Sequence, residues 1–253
     1  MTTIQRQGQR VHLIDEIRGF AILCMVIYHG VYDLLTIFQI SFPFFFSPFM
    51  NGLRTFFAGM FIFISGTACQ FSHNNLKRGA VCLGLGLCIT LFTALFLPSE
   101  LIVFGILHML GVSMMLYALL RPLLSKVPPL LGALVTLLLF IFTYGIVEGY
   151  VGIPALWELS LPAAWYTTKF LFPLGLLPGG FYSADYFSLL PWFFLFLMGS
   201  FVGVYVKEGR FPPFFYRRHS RLLCTVGRNT LLIYVLHQPV LYGLMSLIAM
   251  LIH

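Results

Sequence analysis

Along the chain, long apolar runs alternate with short breaks that carry proline and polar or basic residues. A hydrocarbon core of roughly 30 Å needs about 20 apolar helical residues to cross it. Seven stretches satisfy that requirement: Ile14 to Ile37, Phe49 to Phe71, Gly79 to Leu97, Leu101 to Leu120, Leu130 to Val147, Tyr186 to Val206 and Leu222 to Leu251. Between them lie "SFPFFFSP", "LPSE", "RPLLSKVPP" and "KEGRFPPFFYRRHSR", the punctuation expected where a helix leaves the bilayer. The pattern predicts an all-α, polytopic helix bundle of about seven transmembrane helices, forming one domain over residues 1–253. The first run lacks a small-x-small cleavage site and reads as a retained span rather than a signal peptide. The segment Tyr150 to Asp185 falls outside the spans. Its Trp157, Trp165, Tyr166 and Tyr182 are expected to settle along the membrane interface.

Composition agrees with the pattern. Hydrophobic residues make up 59% of the chain and charged residues 9%, against about a quarter charged in a water-soluble domain. The net charge of +7 does not point to nucleic acid, because the basic residues gather in alternate loops. Loops on one side collect Arg6, Arg10, Lys77, Arg78, Arg121, Lys126 and the run from Lys207 to Arg221, with Arg18 and Arg228 at the adjoining helix ends. The other side has only Arg54 and Lys169. By the positive-inside rule the N-terminus is expected in the cytoplasm and the C-terminus outside. The five cysteines show no CxxC spacing, so neither a disulfide framework nor a metal site is read.

An ionisable side chain at bilayer depth costs on the order of 2.5 to 3.5 kcal/mol, so each asks for a partner, a cavity or a task. In the first span, Asp15, Arg18, Ile22, Met25, His29 and Asp33 fall on one stripe at 100° per residue. Arg18 and His29 share a direction but lie roughly 16 Å apart along the axis. His29 and Asp33 form an i, i+4 pair, in which the carboxylate is expected to orient the imidazole. Asp185 and His108 occur at a similar, outward-displaced depth and His237 sits near the middle of the last span; with these faces inward, the five are expected to converge on one pocket. Pro239 is expected to break the last helix beside His237 and Gln238. At the cytoplasmic end, Asp15, Glu16, Arg18, Lys77, Arg78 and Arg228 form a second cluster, and arginines there suit a phosphate-bearing ligand. The paired glycines Gly84 and Gly86 read as close helix packing.

These residues carry a resemblance. "IDEIRGFAILCMVIYH" resembles the opening of the transmembrane acyltransferase superfamily, in which an Asp-x-x-Arg-Gly start and an Arg-x10-His spacing recur. Here those positions are Asp15, Arg18, Gly19 and His29. "FGILHMLGVS", "ADYFSLLPWFFLFLMG" and "GRNTLLIYVLHQPVLY" narrow it to the bacterial branch of the heparan-alpha-glucosaminide N-acetyltransferase catalytic-domain family. The resemblance runs from Arg10 to about Tyr242, with Ser188 standing where the bacterial pattern often has proline.

The resemblance implies a multi-pass enzyme of the bacterial plasma membrane. It would take acetyl-CoA from the cytoplasm and pass the acetyl group to the amine or hydroxyl of a sugar or other small acceptor on the external side. It implies His29 as base, and Asp15 and Arg18 at the CoA-facing end. From its charge and position Arg228 is expected to join them there, and an acetyl carried on His29 is the alternative to direct transfer. Asp33 would hold the His29 tautomer, His108 or His237 would polarise the carbonyl or hold the acceptor, and Asp185 belongs to the same catalytic set. The sequence is compatible with a homo-oligomer. A rival reading is a proton-coupled transporter, which intramembrane His and Asp residues would serve equally; it predicts internal repeats, and none is visible. A noncatalytic membrane subunit is a third reading, one that leaves the outward polar set without a purpose.

Overall fold

Apolar runs of this length, interrupted where proline and asparagine stop or start a helix, give eight helices in a computed structural model that describes residues 10–252. They are α1 (His12–Ile37), α2 (Pro48–Ala68), α3 (Asn75–Phe96), α4 (Ile106–Leu124), α5 (Pro129–Thr143), α6 (Leu189–Lys207), α7 (Arg221–Arg228) and α8 (Thr230–Ile252). All but α7 belong to the seven helical segments that are long and apolar enough to cross a membrane, each at a position the sequence pattern gives. Pro48 and Pro129 open α2 and α5, where the missing N–H costs nothing. Asn74 and Ser220 cap α3 and α7 by accepting from Lys77 N and Leu223 N. Arg6 lies outside the described residues.

Two stretches depart from the expectation. The run Leu222 to Leu251 is not one helix: Asn229 leaves helical geometry and its side chain donates to the Thr225 carbonyl, separating α7 from α8. Within the segment expected only to line the interface, β1 (Tyr150–Ile153) and β2 (Trp157–Ser160) pair as an antiparallel hairpin, with Ile153 opposite Trp157.

The chain forms two compact units. One comprises the described residues up to Ile64 and those from Gly209 onward; the other is Ser65–Glu208. In the first, α1 packs on α7 and α8. A Cβ on Gly19 would come 2.2 Å from the Leu223 carbonyl oxygen, and one on Gly227 would come 1.8 Å from that of Asp15. Only glycine allows two backbones so near, the small-residue packing typical of membrane helices. In the second unit α3 packs on α4 and α5 on α6. Gly111 lies against Leu83 N, and Gly132 lies under the Phe201 ring. Gly86 is a packing glycine, with the His108 ring against it, whereas Gly84 faces open space.

Candidate active site

The first unit holds polar groups at two levels of α1. At its start, the buried Asp15 carboxylate faces three guanidinium groups: Arg10 at 2.8 Å, Arg228 at 3.5 Å and Arg18 at 3.9 Å. Three positive charges around one negative leave an excess that suits an anion with several oxygens. Arg10 was not singled out in the expected set, because a basic residue before a span is ordinary. The adjacent Glu16 serves the fold instead. One of its oxygens accepts the backbone N–H groups of His219 and Ser220, and the other faces His219 Nδ1 at 3.1 Å. That carboxylate fastens the start of α7 to α1, where unpaired N–H groups favour a negative charge. Lys77 and Arg78 begin α3, in the second unit.

Higher on the same stripe, Ile22 and Asp33 are buried and His29 partly so, while Phe20, Ile27 and Leu34 face outward on other sides of the helix. The arginine-to-histidine side of α1 is therefore the packed side. The His29 ring lies 5.1 Å from the ring of His237 on α8, tilted by 58°, and meets the edge of Tyr28 at 5.8 Å.

His237 Nδ1 lies 2.6 Å from the Tyr234 carbonyl. A carbonyl only accepts, so Nδ1 carries a proton in this contact.

Asp33 does not hold His29. Both its oxygens accept from the Gln238 amide at 3.0 Å, and no hydrogen bond joins Asp33 to His29 among the described residues. The i, i+4 spacing brings the two within one turn, but an amide on α8 reaches the carboxylate and satisfies it. Gln238 Oε1 is buried without a partner. The expected break at Pro239 is absent: α8 runs through it, although the ring denies Val235 its helical donor.

The second unit brings His108 and Asp185 to the first turn of α4. Asp185 accepts from Ile106 N at 3.2 Å, capping a helix whose preceding residue, Gly105, supplies no side chain to do so. His108 is buried, with Phe104 stacked on it. Thr90 donates its hydroxyl proton to the Ile102 carbonyl, so its oxygen accepts from His108 Nε2 at 3.1 Å. Nδ1 is thereby left as the lone-pair atom, buried and unpartnered against Gly86. Of the expected five residues, His108 thus has a hydrogen bond that explains the joint between α3 and α4, and Asp185 has one that caps the start of α4.

A family model described as heparan-alpha-glucosaminide N-acetyltransferase, catalytic, matches residues 10–239. The match takes in both levels of α1, α7, and α8 as far as Pro239. No curated protein and no solved structure matches the chain.

Proposed function

The chain belongs to the heparan-alpha-glucosaminide N-acetyltransferase catalytic-domain family, and from that premise we propose that it is a plasma-membrane acetyltransferase. In this reading it takes acetyl-CoA at the cytoplasmic end of α1 and delivers the acetyl group to a sugar amine or hydroxyl near His29. The observation that supports it is the two-level arrangement of α1. Arginines surround Asp15 at one end, and His29, about 16 Å along the axis from Arg18 on the same stripe, meets the ring of His237 on α8.

In the direct route, His29 accepts the proton of the acceptor N–H or O–H as that atom attacks the thioester carbonyl. The carbon–sulfur bond then breaks, and the imidazolium returns the proton to the departing thiolate. In the alternative, His29 Nε2 or Nδ1 attacks the thioester first and the carbon–sulfur bond breaks, releasing the coenzyme as its thiolate; the acceptor then attacks the acetyl-imidazole, the carbon–nitrogen bond breaks, and the acceptor's proton passes to the freed imidazole. With Nδ1 donating to the Tyr234 carbonyl, a neutral His237 ring would present Nε2 as an acceptor. It suits holding the acceptor's N–H or O–H better than polarising a carbonyl, which would require a second proton on the ring. Asp33 and Gln238 act as positioning residues that fix α8 against α1 beside the pair. His108 and Asp185 hold the start of α4.

Arg18, Arg228 and Arg10 would hold the phosphates of the coenzyme, because guanidinium groups match phosphate oxygens bidentately. Acetyl-CoA is expected to raise the melting temperature of the purified protein by linkage, since a ligand that binds only the folded state stabilises it. An unchanged melting temperature at saturating acetyl-CoA contradicts the reading.

A further inference from the structure

The β1–β2 hairpin is amphipathic in a way that a connecting loop does not need to be. Side chains alternate across a strand, and the register pairs Val151 with Leu159 and Ile153 with Trp157, while Gly152 faces Glu158 and Tyr150 faces Ser160. One face is therefore wholly apolar and the other carries Tyr150, Glu158 and Ser160.

The apolar face has little protein over it. Trp157 is 57% exposed, Leu159 52%, and Leu156 at the tip 81%. Sequestered loops do not leave a leucine and a tryptophan open together, and contiguous apolar surface of this kind marks an interaction site.

Among the described residues, the aromatic partner of Trp157 shows which surface this face continues. Its ring stacks on Phe142 at 5.9 Å with 16° between planes. Phe142 lies in the last turn of α5, on an exposed side that also carries Leu138 and Ile141. That side of α5 is the surface a membrane span turns to lipid. The hairpin face is thus an extension of it, beyond the end of the helix.

We propose that the β1–β2 hairpin is a lipid-dipping wedge, with Leu156, Trp157 and Leu159 inserted among the upper acyl chains of the leaflet in which α5 ends. Its depth is limited by its backbone. A two-stranded ribbon has two unpaired edges, and unpaired N–H and C=O groups are not tolerated in the hydrocarbon core. The hairpin therefore stops at the boundary of headgroups and chains, where tryptophan is also favoured, and Glu158 and Ser160 turn toward the headgroups.

Fluorescence quenching in vesicles tests this. The wild-type protein and Trp157→Phe are reconstituted in phosphatidylcholine brominated either high on the acyl chain or near its end, and acrylamide is used as the aqueous quencher. Trp165 and Trp192 are common to both proteins, so the difference reports Trp157. The expected result is loss of a bromolipid-quenched component in Trp157→Phe, larger for the shallow bromine than for the deep one. Loss of an acrylamide-quenched component instead would place the face in water and overturn the wedge. A Trp157 signal reached by neither quencher would mean protein cover, such as a second copy, and would also overturn it. If Trp157→Phe folds poorly, Leu156→Trp provides the same readout by addition: a new component quenched by the shallow bromine supports the wedge, and one quenched only by acrylamide refutes it.

Discussion

At the residue scale, the buried Asp33 carboxylate owes its place to one amide. Gln238 donates to both of its oxygens, and a buried polar group that loses its hydrogen-bond partner costs about 1 to 3 kcal/mol. Gln238→Leu is expected to lower the melting temperature in detergent by several degrees; an unchanged value would show that Asp33 draws its stability from elsewhere. The arginines near Asp15 have a different signature. Arg228→Ala is expected to raise KM for acetyl-CoA roughly tenfold, about the 1.4 kcal/mol of one charge-assisted contact, with kcat nearly unchanged. A fall in kcat at constant KM contradicts phosphate binding by Arg228. Asp15, Arg18, His29 and Asp33 were legible because a charged or ionisable side chain in an apolar run must be accounted for. Arg10 and Gln238 were not, since a basic residue before a span and an amide near a proline each have an ordinary explanation. The pairing of Asp33 with Gln238 rather than His29 depends on how α1 and α8 are brought together, which local spacing does not encode.

At the element scale, the joint between α1 and α7 rests on glycines and one carboxylate. Gly227→Ala places a methyl group 1.8 Å from the Asp15 carbonyl oxygen. Backbone cannot yield as a flexible side chain does, so the substitution is expected to cost at least the 1 to 3 kcal/mol typical of overpacking. Gly84→Ala meets nothing within 4 Å and is expected to be neutral or mildly stabilising, as Ala is the better helix former. Equal melting temperatures for the two variants contradict the packing account.

Cys224 reports on the same joint. Burial, together with its hydrogen bond to Glu16, pushes its thiol pKa up. At neutral pH the reactive thiolate is thus rarer than for a free cysteine, and maleimide labelling followed by peptide mass spectrometry is expected to find it slow. Glu16→Ala releases the start of α7 and is expected to accelerate it. The seven spans were legible from run length alone. The hairpin was not, because four-residue strands in "YVGIPALWELS" give too short an alternation to stand out among interfacial aromatics. The α7–α8 break was hidden by apolar residues on both sides of Asn229.

At the scale of the whole molecule, the charge asymmetry makes a topological prediction independent of the chemistry. Thirteen of the 15 Lys and Arg residues fall in one set of loops or at the helix ends adjoining them, so the segment from Tyr150 to Asp185 is expected outside the cell. A cysteine introduced at Lys169 in intact cells should react with a membrane-impermeant maleimide; protection there with reactivity at a cysteine replacing Arg217 would invert the topology. The proposed route needs that asymmetry, because it draws the coenzyme from the cytoplasm and delivers the acetyl group on the other side.

The most direct test of the account is acetyl transfer from labelled acetyl-CoA to a hexosamine acceptor by purified wild-type protein and His29→Ala, with acetyl-CoA-induced stabilisation measured in parallel. The account predicts that His29→Ala loses at least about a hundredfold in kcat, the lower range for a general base, while acetyl-CoA still raises its melting temperature. Full transfer by His29→Ala would contradict it.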